Sequence, residues 1–359
     1  MYQRDPIQSM AEARHEFGEH GGVNMSIEAS TTFTVLEPDT MPELFAGLRG
    51  PEEGGCYLYG RHFNPTVYNL GRQLASMEGT EAAYCTSSGM AAISAVLLAC
   101  CEAGDHIVAS HTIYGGTYAL LHDFLPVKAG VTATLVDIND EAAVAGAITP
   151  KTRVIYTETL SNPTLRVPDI PALAELARSS GTRLIVDNTF APLLASPADL
   201  GADVVVHSMT KFIGGGSDII AGAACASEEF IGGLMDLHMG PFMLLGPTMD
   251  PKVAFELNTR LPHLPLRMAE HGRRAASMAQ TLQAQGLDVI YPGLATHPDH
   301  DRACELFRTE YGFGGVFALD AGSEVKANEL MASLQNQQGF GYIAVSLGFH
   351  DTLMSVSSS

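Results

Sequence analysis

The feature that most constrains this chain is an alternation that begins near residue 81 and runs to His207. Short runs that are apolar throughout alternate with stretches of helical period. Ala82–Thr86, His106–Ser110, Thr134–Val136, Val154–Thr157, Leu184–Val186 and Val204–His207 read as strands. Met90–Cys101, Thr117–Phe124, Glu141–Ile148 and Ile170–Ser179 read as helices between them. A strand that is apolar on both faces is buried on both faces. The pattern therefore predicts an α/β fold with a mostly parallel sheet covered by helices. In such a sheet ligands sit outside the carboxyl ends of the strands, so the informative residues should lie just after each strand.

The flanks differ. Residues 1–63 show little periodicity and are expected to form an N-terminal arm. Asn64-Pro65 opens a helix, with an N-cap residue followed by a first-turn proline. Val67, Leu70, Leu74 and Met77 then recur at helical spacing. A large domain is expected over 64–258 and a smaller α+β domain over 259–359. In the latter, Pro262 and Pro265 precede a helical stretch, Met268–Gln285. Val289–Tyr291, Gly315–Leu319 and Ala344–Ser346 look like its strands.

Charge removes several partners. The formal net charge is −20, which would repel a nucleic-acid backbone or an anionic membrane. The six cysteines form no CxxC pair and sit mostly among apolar residues, as in a reducing compartment. The N-terminus lacks an apolar signal core, and the run near Ala91–Cys101 is well short of the ~18 residues that span a bilayer. A soluble, cytoplasmic protein is expected. The 13 histidines are scattered, and His297-Pro298-Asp299-His300-Asp301 reads as a solvated loop, so no metal is expected.

Lys211 stands out among the five lysines, because it follows an apolar strand and lies between hydroxyls and glycines. A lysine in such a place is most often a surface residue. Ser208-Met209-Thr210-Lys211 also matches the SxxK of serine acyl-transfer enzymes, but their Ser-Asp-Asn and Lys-Thr-Gly partners do not occur. The third reading is a Schiff-base lysine for pyridoxal 5'-phosphate, since burial makes an amine nucleophilic. That cofactor needs an acid against its pyridine nitrogen, and Asp187 ends the strand before. It needs backbone donors at a helix N-terminus for its phosphate, and Ser87-Ser88-Gly89-Met90 offers them. Ser208 and Thr210 flank the lysine, and Arg61 suits a bidentate phosphate clamp. Tyr114 could stack on the ring and Asn162 could bond its hydroxyl. Each has an ordinary alternative as a turn or core residue; together they match one cofactor.

These stretches make the chain resemble the Cys/Met-metabolism family of fold-type I pyridoxal-phosphate enzymes. Those carrying the resemblance are Tyr59-x-Arg61-x-x-Asn64-Pro65-Thr66, Ser87-Ser88-Gly89-Met90, Tyr114-Gly-Gly, Ser161-Asn162-Pro163-Thr164, Asp187-Asn188-Thr189-Phe190 and Ser208-Met209-Thr210-Lys211-Phe212. The resemblance as a whole covers roughly residues 20–350. Within the family, EFGEHGGVNMSIEAST and MLLGPTMDPKVAFEL look like the plant-type methionine γ-lyases. The resemblance implies an aminotransferase-like fold with a seven-stranded sheet. It implies that Lys211 carries the cofactor and moves protons, and that Asp187 faces the pyridinium. Ser88, Gly89, Met90, Ser208 and Thr210 would bind phosphate. Tyr59 and Arg61 would serve a neighbouring subunit's site, in a dimer within a homotetramer. Tyr114 would also protonate the leaving sulfur, and Ser346 would help hold the substrate carboxylate. The implied reaction is γ-elimination of methionine, the alternative being γ-replacement on an activated homoserine ester. A non-catalytic scaffold of the same fold would lack reason to keep Lys211, Asp187, Tyr114 and Arg61. Gly116 stands where some bacterial lyases carry cysteine, which leaves lyase and synthase unseparated. The resemblance also implies chain beyond Ser359, with an arginine for the substrate carboxylate.

Overall fold

The structure is a computed structural model that describes residues 4–14, 20–46, 48–50 and 57–356. Seven strands form the central sheet: β1 (Ala82–Thr86), β2 (His106–Ser110), β3 (Thr132–Val136), β4 (Thr152–Glu158), β5 (Arg183–Asp187), β6 (Val204–Ser208) and β7 (Gly222–Ala226). Their order is β1-β7-β6-β5-β4-β2-β3. The pairs from β6 to β3 are parallel, and β7 runs antiparallel to both β6 and β1.

The apolar strands are buried from both sides, as their composition requires. Leu184, Val186 and Val205 enter one core and Ile185, Val204 and Val206 the other. Burying each such side chain contributes about 1.5–3 kcal/mol. The helix Ile170–Ser180 covers the first face through Ile170, Leu173, Ala174 and Ala177. The helix Gly89–Cys100 covers the second through Ile93, Val96 and Leu97.

Asn64 caps the helix Pro65–Glu78 as expected, its Oδ1 accepting from the Thr66 and Val67 amides at 2.9 and 3.2 Å. The N-terminal segment is not wholly extended. A helix over Pro6–Ala13 buries Met10, and Ser76 Oγ donates to the Ser9 carbonyl at 2.9 Å.

The long helix after the sheet is Leu264–Ala284, four residues earlier at its start than the sequence suggests. Pro265 does not precede it but lies in its first turn, where a missing amide costs nothing. Two short sheets follow, one pairing Val289–Ile290 with Ala318–Leu319, the other pairing Tyr342–Ile343 with Leu353–Met354. Ala344–Ser346 is not a strand. The chain bends there, and Gly348, at φ +85°, lies so close to the Lys211 turn that a Cβ on it would sit 2.6 Å from Lys211 C.

Candidate active site

Side chains alternate along a strand, so Glu158, Asp187 and Ser208 share the face of Tyr156, Ile185 and Val206. They end β4, β5 and β6, and Glu158 is the register partner of Asp187. Gly222 opens β7 between Ser208 and Thr86, its register partners on either side. Six strand ends thus meet in one row, with the turn Ser87–Ser88 at one end and Tyr114, after β2, at the other.

Lys211 sits in the turn after β6. Its Nζ donates to Ser346 Oγ at 3.1 Å, so the smaller C-terminal part reaches the amine directly. Partial burial pushes the lysine below its usual value, toward the neutral nucleophile. Asp187 is buried, and its Oδ1 accepts from the Thr189 amide at 2.9 Å. The Tyr156 hydroxyl donates to Oδ2 at 3.4 Å. Burial raises the Asp187 carboxyl above the ordinary range, with the Thr189 bonds opposing. A cation placed against it would reverse that cost.

The turn after β1 is shaped by what cannot be there. A Cβ on Gly89 would lie 2.6 Å from Ser208 Cβ, and one on Gly222 would lie 2.7 Å from the Gly89 amide nitrogen. Ser88 Oγ accepts from the Ala91 amide at 3.1 Å and so starts the helix Gly89–Cys100. Gly89 and Met90, in its first turn, have no acceptor within the helix for their amides. The Ser208 amide donates to Thr189 Oγ1 at 2.8 Å, which ties this turn to the Asp187 loop. Thr210 comes to the same turn, but its hydroxyl bonds Ala221, accepting from the amide at 3.1 Å and donating to the carbonyl at 3.3 Å.

Tyr114 is half-exposed and precedes the helix Gly115–Ala119. Its ring folds over Gly116, where a Cβ would stand 2.5 Å from Cε1. Asn162 follows β4. The amides of Tyr114 and Asn162 both donate to Glu158, to Oε1 at 2.7 Å and Oε2 at 3.1 Å. Glu158 was missed from sequence. The strand-end rule that found Asp187 would have found it, had β4 been read one residue longer.

Tyr59 and Arg61 bond other parts of this chain. Arg61 Nη1 donates to the Met243 carbonyl at 2.7 Å, and its guanidinium is 5.6 Å from the ring of the exposed Tyr59. Among the described residues no hydrogen bond or ion pair links either to Lys211, Asp187, Ser208 or Tyr114.

On the opposite face of the sheet, His207 Nε2 is 2.8 Å from Glu78 Oε1, both side chains fully buried. Asn188 Nδ2 donates to the same oxygen at 3.0 Å. This pair lies behind the row of strand ends and locks β6 to the helix Pro65–Glu78.

A glycine-lined cradle with helix amides that have no intrahelical acceptor, a lysine kept toward neutrality and a buried acid that a cation would stabilise suit one group: a phosphorylated aldehyde on a basic aromatic ring. The fold and these donors are those of a pyridoxal-phosphate enzyme of fold type I. A family model described as Cys/Met metabolism PLP-dependent enzyme matches residues 8–359, and the chain belongs to that family. It is 58% identical over 356 residues to a protein named methionine gamma-lyase from Arabidopsis thaliana, covering 99% of this chain and 80% of that one. It is 40% identical to a cystathionine gamma-synthase of Mycobacterium bovis, over 83% of this chain and 73% of the other. A solved structure of a putative O-acetylhomoserine (thiol)-lyase from Campylobacter jejuni, carrying a pyridoxyl-lysine monophosphate, superposes with a TM-score of 0.88 at 25% identity. That match covers 98% of this chain and 93% of the other.

Proposed function

We propose that this protein removes the γ-substituent of L-methionine, releasing methanethiol, 2-oxobutanoate and ammonia. The observation that carries the proposal is Lys211 Nζ, bonded at 3.1 Å to Ser346 beside the carboxyl ends of β5 and β6, in a chain 58% identical to a methionine gamma-lyase. Pyridoxal phosphate bound there supplies an electron sink that acidifies the substrate's Cα and then its Cβ.

The chain's residues do the rest. The Gly89 and Met90 amides, with the Ser88, Ser208 and Thr210 hydroxyls, would hold the phosphate; to join them Thr210 must turn its hydroxyl proton from the Ala221 carbonyl, while still accepting from the Ala221 amide. Asp187 would pair with the ring nitrogen and favour its protonated form. Tyr114 would cover one ring face, and Asn162 would bond the ring hydroxyl. Lys211, kept toward neutrality by burial, takes the Cα proton and moves the next one at Cβ. Ser346 bonds the substrate carboxylate. The Tyr114 hydroxyl gives its proton to the departing sulfur. Tyr59 and Arg61 act on the phosphate in a neighbouring copy, within a cytoplasmic homotetramer.

The test is to incubate the full-length protein, loaded with pyridoxal phosphate, with L-methionine alone. Release of 2-oxobutanoate and methanethiol without a thiol acceptor is expected, and Lys211→Ala should abolish it. Silence with methionine, but cystathionine or homocysteine from an activated homoserine ester plus cysteine or sulfide, would establish γ-replacement instead. Gly116 and the identity to a cystathionine gamma-synthase keep that second reading in view.

A further inference from the structure

Glu158 holds two loops that are remote in sequence. One carboxylate oxygen takes the amide of Tyr114, 44 positions away, and the other takes the amide of Asn162. The side chain is buried, on the same sheet face and at the same register as Asp187. Among the described residues no ion pair reaches either carboxylate. Two buried acids side by side are an expensive arrangement for a fold to keep. Burial and the Asp187 charge both push Glu158 upward, and the two amide bonds oppose them.

The residue type is also specific. Bridging two amides needs an acceptor at each end of one short planar group, which a carboxylate has. Glutamine has one acceptor, and its NH2 would face the second amide. The two loops held are those bearing the groups assigned to the ring face and the ring hydroxyl.

We propose that Glu158 is a positioning residue of the cofactor site. Its carboxylate sets the separation of Tyr114 from Asn162, and a cationic ring bound beside it and Asp187 would draw both acids toward their charged forms. The proposal rests on the pyridoxal-phosphate reading of the site. It assigns Glu158 two separable duties, spacing and charge.

The experiment compares Glu158→Gln and Glu158→Asp with the parent, each titrated with pyridoxal phosphate as apoprotein. Three quantities are read: the dissociation constant, the visible circular dichroism of the bound cofactor at equal loading, and kcat and KM. Glu158→Gln loses both duties. Cofactor binding should weaken about 10-fold or more, the dichroism should change, and kcat should fall about 100-fold with KM little altered, the scale of a displaced general acid. Glu158→Asp keeps the charge but is one methylene too short for both amides. It should bind cofactor nearly as the parent does while showing the altered dichroism and lowered kcat. If Glu158→Gln does not fold, Glu158→Asp alone still reads the spacing. Parental dichroism and kcat in either soluble variant, with only a lower melting temperature, would overturn the proposal and leave Glu158 a structural residue. A parent that takes up no cofactor would sink the reading beneath it instead.

Discussion

Gly222 offers the sharpest test of the phosphate cradle, because it has no side chain through which to touch a ligand. In Gly222→Ala the new methyl would stand 2.7 Å from the Gly89 amide nitrogen, and closer still to the Ser88 carbonyl. Both are backbone atoms, so no side chain can swing aside. Restoring an ordinary contact of about 3.4 Å moves the amide by about 0.7 Å. Overpacking of this kind costs about 1–3 kcal/mol. If that cost falls on the turn in its phosphate-binding form, cofactor affinity drops about 5- to 150-fold, at 1.4 kcal/mol per decade. The assay is a spectrophotometric titration of apoprotein with pyridoxal phosphate, alongside thermal unfolding of the apoprotein. Weak binding by a folded variant is the expected result. Parental affinity in Gly222→Ala would refute the reasoning, since the turn would then either yield freely or not hold the phosphate.

The buried pair behind the site should matter for stability. Glu78→Ala leaves the buried His207 and Asn188 side chains without their shared acceptor, and should cost about 1–3 kcal/mol in denaturant unfolding of the apoprotein; a loss below about 0.5 kcal/mol would mean that water or a rearranged partner replaces it. His271 gives a pH prediction. It packs edge-on against Phe212, 5.2 Å between ring centroids. Burial, aided by Arg267 and Arg274, holds its imidazole down to about 4. The unfolded chain binds that proton near 6.5 and the folded chain does not until about 4, so folding stability falls as pH drops through this window. His271→Gln should flatten the acid limb of the stability profile relative to the parent, and parallel limbs would exclude the assignment.

Sequence reached furthest where burial on both faces leaves unbroken apolar runs. Strands β4, β5 and β6 each extend by no more than two residues at either end beyond the stretches expected for them. β7 escaped, because Gly222-Ala-Ala-Cys-Ala226 has no β-branched residue to mark a strand. Its small residues follow from tertiary packing: Gly222 must admit the Ser88 carbonyl, a demand no local pattern encodes. Asp187 and Lys211 were legible because each is a lone polar group closing an apolar run. Glu158 has the same signature but borders the Ser161–Thr164 turn, which absorbed it into a loop. Ser346 was legible only through family resemblance, since its meeting with Lys211 depends on a bend set by Gly348. The long helix began early because Pro265 looks like a stop signal and acts as a first-turn residue.

The place of β7 bears on how this chain is made. β1 has one neighbour in the sheet, and that neighbour is β7. Ala82 pairs with Ala226 and Thr86 with Gly222, so the first strand to leave the ribosome is among the last to be paired. At 5–20 residues per second, roughly 7 to 28 s separate synthesis of the two strands. Throughout that interval β1 offers an open edge, and the turn that follows it lacks the strand it leans on. The nascent chain is therefore most exposed to wrong pairing in the interval before its binding turn can form. Closing the sheet and completing the cofactor's cradle are then a single late event.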